Sequence, residues 1–407
     1  AWNIGIGDVF KFSWEKYGIV ATYFRVSSIK KGTLTNGTIV ISALEDVFSL
    51  PDAAYVTPQP PSWTIPNNPP APVTNQMAMF IGYWDVSQKL PQANINTLDP
   101  DFAGAILNAT VATTDTYSYG IYAEDVQDVT GTASPSAYGE LDAAIDNVTQ
   151  TVQVRNGQRL GEIVKGARKY IAINDELMRL DDISVQTGGL YAVLTVSRGA
   201  LDTVPTAHNV GDEVWFPAQY GGWETTVERT DGETVTYRLL PRTGYGSLDP
   251  ADAGITPLPI SLYDRYQRPY PPGYLQINGS YLPESVDSNT LVFTWQHRNR
   301  VLETANIITK DDDSAGAVDS DVQYWIYLED QNGDRIVGGP DTYPYNLGTT
   351  LTYTYDNLST LYPQMTVKLW AEYITAGLPS WQILTHTFLT AGGAQHDQTQ
   401  HSSQEHL

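Results

Sequence analysis

Residues 169–185, KYIAINDELMRLDDISV, and 191–216, YAVLTVSRGALDTVPTAHNVGDEVWF, decide the fold class. Short runs of alternating apolar and polar residues are broken by Asn, Asp or Gly, which is the pattern of antiparallel strands joined by turns. The second stretch also brings Ser197, Asp202 and His208 within a dozen positions. A hydrolytic triad needs those three groups to meet in space. Ser197 instead closes the strand YAVLTVS, with no Gly-x-Ser-x-Gly elbow to present it. The stretch is expected to be a structural turn. Leu201, Val204 and Pro205 pack its loop, Asp202 accepts backbone amides, and VGDEVWF is the returning strand. No catalytic residue and no cofactor site is assigned, and the chain is not expected to be an enzyme.

The same reading extends outward. Thr, Val, Ile and Tyr fill the periodic stretches, while 33 glycines and 25 prolines punctuate them, so the chain is mainly β. DVFKFSW, TYFRVSSI and NGTIVISAL predict three antiparallel strands, with Asn36-Gly37 as a hairpin signal. Residues 51–72 are too rich in proline for a sheet or helix interior and predict an extended strap. MAMFIGYW predicts a strand or buried segment, and LDPDFAGAILNATV and SAYGELDAAIDNV allow one or two short helices. TVQVRNGQRL carries another Asn-Gly turn, and WETTVERTDGETVTYRLLPRT predicts a hairpin at Asp231-Gly232. After the proline cluster near Pro272, LVFTWQH, VQYWIYLEDQNGDRIV, LTYTYDNL, MTVKLWAEY and SWQILTHTFLT predict a sandwich of about seven strands.

The expected organisation is therefore several small antiparallel β-domains. A β-domain end spans 1–50, a Pro-rich connector 51–76 and a mixed α/β segment 77–151. A compact β-domain with a hairpin extension follows at 152–271, then a fibronectin type III-like sandwich at 272–391 and a disordered tail at 392–407.

Composition limits function. The formal charge of −23 repels phosphate backbones and argues against nucleic acid as a partner. Zero cysteines exclude disulfides and thiolate metal sites. No apolar run approaches the roughly 20 residues that span a bilayer as a helix, so stable membrane insertion is not expected. The chain opens on Ala1 in mid-pattern, which predicts the later part of a longer polypeptide.

Other polar groups have plain readings. KDDDSAG (310–316) and EDQNGD (329–334) hold oxygen ligands but lack the fixed spacing and bidentate Glu of a calcium loop, so solvated turns are expected. His396, His401 and His406 are five apart, the wrong spacing to align on a helix, in a polar tail. Ten Trp and 26 Tyr are expected in cores and subunit contacts, with sugar stacking as the alternative use.

Three stretches carry a family resemblance. Residues 7–51 with PPSWTIPNNPPAPV resemble the end of the hub domains in tail tip proteins of long-tailed bacteriophages and gene transfer agents. GEIVKGARKYIAINDELMRLDDIS with LTVSRGALDTVPTAHNVGDEVWF resembles a small β-domain of the same proteins, and GETVTYRLLPRT with RPYPPGYLQINGS resembles the lead-in to their fibronectin-like module. The usual tyrosine corner of that module is missing, its position falling near Met365. The resemblance implies a structural virion protein of a tail tip or baseplate hub, assembled in the host cytoplasm, typically homotrimeric and joined to other tail proteins and fibres. The rival reading is a host-surface glycan binder or hydrolase. Trp14 and Trp63 are expected to expose apolar surface in an isolated chain.

Overall fold

The computed structural model describes residues 3–33, 35–47, 69–252, 254–309, 316–336, 345–356 and 362–390. Residues 51–68 of the expected proline strap (51–72), KDDDSA at 310–315 and the three tail histidines lie outside them. Among the described residues strands dominate, and the α-helices run only seven, four and four residues. The chain divides into two compact units, 1–67 and 68–407.

The first unit is one antiparallel sheet of β1 (Val9–Trp14), β2 (Ile19–Lys31) and β3 (Ile39–Glu45), in that order. Phe10 pairs with Phe24, and Phe24 with Glu45. A register shift between Val26 and Ser28 bends the long β2, and beyond it Ile29 pairs with Ile41 and Lys31 with Ile39.

The second unit begins with β4 (Gln76–Phe80), α1 (Tyr83–Lys89) and α2 (Gln92–Ile95). β5 (Phe102–Ala103) and β6 (Ala105–Ala109) follow, where the sequence allowed a helix. All five residues of β6 are buried, Asn108 among them, so the strand has no solvent-facing side and its sequence shows no apolar–polar alternation. The helices lie upstream, from the end of MAMFIGYW onward.

β7 (Ser118–Ala123) and β8 (Asp128–Ala133) form a hairpin, and β9 (Tyr138–Leu141) lies within SAYGEL, the other stretch that allowed a helix. β9 joins β10 (Thr151–Gln158), β11 (Tyr170–Ile173), β12 (Glu176–Val185), β13 (Ala192–Ser197) and β14 (Glu213–Trp215) in a closed barrel of order β10-β13-β12-β11-β14-β9. Gly139 sits so near its neighbour that a Cβ there would lie 2.2 Å from Val154 Cγ1. Close approach, not helix propensity, governs this segment. The Asn156-Gly157 signal is not a turn: β10 runs through it, with Asn156 at φ 51° and a register shift between Arg155 and Gln158, a bulge in the barrel wall. Leu141, Val152, Val154, Ile171, Met178, Leu194 and Val214 fill the barrel.

α3 (Pro217–Tyr220) and β15 (Arg229–Thr230) lead to β16 (Thr234–Thr243). The Asp231-Gly232 turn does not close the expected hairpin. β15 pairs with β5, whereas β16 pairs with β7, β17 (Gly246–Ser247) and β18 (Leu258–Ser261). A tight turn fixes a change of direction, while pairing is decided by which sheet covers Tyr237 and Leu239, both buried against Leu107, Tyr119 and Ile121.

The last part is a two-sheet sandwich. One sheet orders β20 (Ser280–Tyr281), β19 (Gly273–Ile277), β22 (Leu291–Gln296) and β25 (Thr352–Tyr355). The other orders β21 (Ser285–Val286), β28 (Leu384–Thr390), β26 (Gln364–Tyr373), β23 (Val322–Asp330) and β24 (Tyr345–Gly348), with β27 (Leu378–Pro379) on β26. Alternate residues of both sheets, Phe293 and Trp295 against Tyr324, Ile326, Val367 and Phe388, make a single core. Met365, at the corner position, is fully buried in it.

Candidate functional site

The three residues that raised the question of hydrolysis are held apart by different partners. Ser197 Oγ donates to Asp181 Oδ2 at 2.5 Å and accepts from Arg179. His208 Nε2 lies 3.0 Å from Glu176 Oε2. Asp202 is clamped by Arg265, Nε and Nη2 donating to its two oxygens at 2.6 and 2.7 Å. It therefore does not bind turn amides as its sequence context suggested, because an arginine 63 residues further on supplies a stronger, charge-assisted fork. Leu201 and Val204 are buried loop packing as expected.

Around His208 is a wholly buried ion network. Arg198 gives two 2.8 Å bonds to Glu176 and further bonds to the carbonyls of Asp146, Thr149 and Thr206. Glu176 also accepts the amides of Gly199 and Thr206. Burial alone would raise the Glu176 pKa, but the Arg198 and His208 bonds and the Thr206 amide outweigh it and hold the carboxyl below its ordinary value. The bonds of this cluster run between buried protein groups, the Arg198, Glu176 and His208 side chains being almost wholly covered.

The same turn is a junction. Arg298 donates to the Leu201 carbonyl, the Val204 amide donates to Gln382, and Val204 belongs to the sandwich core. None of these long-range partners is visible in the local sequence pattern.

EDQNGD is a turn, as expected: the Asp330 carboxylate accepts the amides of Asn332 and Asp334, and Ile336 bonds back to Leu328. Among the described residues no group of three His, Asp or Glu side chains could hold a metal ion, and no helix is long and apolar enough to cross a membrane.

The surface that stands out is in the first unit. Cross-strand pairing puts Phe10, Phe12, Trp14, Phe24, Val26, Ile29, Ile39 and Ile41 on one face of the β1–β3 sheet, interrupted by Thr22, Lys31, Ala43 and Glu45. The aromatic rings form a ladder, Phe12 being 6.3 Å from both Trp14 and Phe24. Trp14 turns an edge to Tyr17 at 4.6 Å. This alternation is that of a sheet with one core-facing side, yet Phe12, Trp14, Ile39 and Ile41 are exposed and, of this face, only Val26 is fully covered. The opposite face carries Lys11, Tyr23, Arg25 and Lys30 and exposes Val9, Val40 and Leu44, but among the described residues has no aromatic ladder.

No family model matches this chain. No curated protein matches it either.

The sequence pointed to Trp14 as an exposed aromatic. The rest of the face was hidden, because an alternating strand looks the same whether or not a second layer covers it.

Proposed function

We propose that this chain is a structural protein of a phage tail tip or baseplate hub and that it assembles with further copies of itself through the β1–β3 sheet. The observation that carries assembly is the exposed aromatic and aliphatic cluster on this face, Phe12, Trp14, Ile39 and Ile41, since apolar side chains on a sheet face are stabilised when a second layer covers them. Copies of the same chain are favoured as the covering layer by charge. Lys11, Lys16, Arg25, Lys30 and Lys31 offset Asp8, Glu15, Glu45 and Asp46 in this unit, so it carries almost none of the −23 that would push two chains apart. The phage context is supported by the three sequence resemblances and by their order along the chain. The closed polar networks of the barrel support a role as scaffold, with the sandwich available to other tail proteins or fibres.

Light scattering on the full chain at micromolar concentration tests the reading. A homo-oligomer, a trimer by the resemblance, is expected, and Phe12→Glu with Ile41→Glu should convert it to monomer. A monodisperse wild-type monomer would overturn it.

A further inference from the structure

On the second unit, α1, the residues leading into β11 and the 217–225 segment enclose a cleft of about 510 Å³. That is within the roughly 300–1,000 Å³ of small-molecule sites. We propose that this cleft binds a saccharide unit bearing a carboxylate. The inference is independent of how the chain assembles.

Charge is the first argument. Lys89, Arg168 and Lys169 line the cleft, and none of them has a carboxylate within ion-pair distance among the described residues. Elsewhere in this acidic chain Arg198, Arg229, Arg265 and Arg298 are each paired. Arg168 uses one nitrogen on the Gln88 amide, Lys169 reaches only the Ala218 carbonyl at 3.4 Å, and Lys89 stands 5.7 Å from the centre of the Trp223 ring. Three unspent cations on one concave surface are what an anionic ligand would meet. Among the described residues Asp85 is the one acid on the lining, and it is turned inward, accepting from the Tyr170 hydroxyl at 2.7 Å.

Shape and polarity narrow the ligand. The cleft is far larger than an inorganic anion needs. Trp223 presents a half-buried ring beside the cations, and Thr132 and Thr225 are exposed residues of the lining, the Thr225 hydroxyl donating to the Thr130 carbonyl at 3.3 Å and keeping a lone pair to accept with. An aromatic face for a sugar ring, hydroxyl partners for its rim and cations for its carboxylate make one consistent set. The wall is built for closeness: a Cβ on Gly222 would lie 2.1 Å from the Thr132 carbonyl oxygen, so only glycine lets this backbone bridge to Leu107 on β6. Asn108 shares the strand face of Ile106, a lining residue, and its amide is fully buried with no hydrogen-bond partner. A Cβ on Gly221 would lie 3.5 Å from that amide nitrogen, so an unused donor and acceptor stand directly behind the cleft wall. A long polyanion is disfavoured by the charge of −23 that surrounds so local a patch.

Calorimetry and tryptophan fluorescence on the full chain test this with tri-galacturonate and sialyllactose as probes. Galactotriose, inorganic phosphate and a single-stranded oligonucleotide are the competitors. At least one acidic sugar should bind roughly tenfold tighter than galactotriose, and Arg168→Gln or Lys169→Gln should weaken it by roughly tenfold. Both side chains are free of ion pairs, so an unchanged melting curve should accompany the loss. The proposal is overturned if neither acidic sugar binds at millimolar concentration, or if galactotriose binds as well. It also fails if phosphate or the oligonucleotide competes equally, or if both variants bind like wild type.

Discussion

The β1–β3 sheet and the sandwich of residues 273–390 are written in the same alternating code and meet opposite fates. In the sandwich, Phe293, Ile326, Val367 and Phe388 from two sheets close on each other and are almost fully buried. In the first unit Phe12, Trp14 and Ile41 occupy equivalent inward positions and stay open to solvent. Alternation states which face wants to be covered, and says nothing about whether the same chain supplies the cover. Where it does, the face is a core. In the first unit the side chains stand exposed, and the assembly proposed above is what would cover them.

The sharpest way to break this contrast is to treat both faces alike. Phe293→Ala leaves a cavity in a closed core and is expected to cost about 3–5 kcal/mol, read as a lower denaturant midpoint of the sandwich. A loss below about 1 kcal/mol would mean that this core is no better covered than the sheet. Glu176→Ala should cost a similar or slightly smaller amount, about 3–5 kcal/mol, by leaving Arg198 buried and unpaired. Replacing Glu176, Arg198 and His208 together by apolar residues should recover most of that loss, because the network organises the barrel end more than it stabilises it.

Asp85 gives a medium effect with a defined sign. Burial raises its pKa from 3.8 to about 6, against the opposing pull of the Tyr170 hydroxyl and Arg265. The folded state therefore holds this proton more tightly than the unfolded one. The resulting stability is fully present below about pH 4 and is lost as the pH rises through 6, amounting to at most about 3 kcal/mol. Asp85→Asn should flatten the dependence of the denaturation midpoint on pH between 4 and 7. An unchanged profile would remove Asp85 from the account.

The smallest effect on folding is expected where the effect on assembly is largest. Phe12→Glu should shift the denaturation midpoint of the second unit by no more than about 0.5 kcal/mol equivalent while shifting the sedimentation profile toward monomer. His208→Ala should leave oligomeric state unchanged and destabilise the barrel alone, by about 1–3 kcal/mol, since it strips one donor from Glu176.

Much of the fold was legible because it is local. The three strands of the first unit, the barrel strands from Tyr170 to Ser197 and the sandwich strands each carry their period in the sequence. What stayed hidden depends on contacts between distant segments. β6 reads as helix-compatible because both its faces are buried. Asn156-Gly157 reads as a turn, yet the barrel needs a bulge there. Asp231-Gly232 reads as a hairpin, yet its two strands enter different sheets. At the site the sequence could dismiss a triad, since no elbow surrounds Ser197. It could not see that Asp202 belongs to Arg265, nor that Lys89, Arg168 and Lys169 converge from segments 80 residues apart.

The Asp202–Arg265 fork has a consequence in time. The chain leaves the ribosome from its N-terminal end, so the barrel strands exist before the guanidinium that neutralises one of their turns. At roughly 5–20 residues per second, the intervening 63 residues take several seconds to appear. During that interval Asp202 must stay in water, and the turn that later joins barrel to sandwich cannot close. A nascent chain halted at Asp264 should therefore be cleaved by protease within 197–208, and one extended well past Arg265 should resist. Equal protection of the two would mean that the turn sets without its arginine.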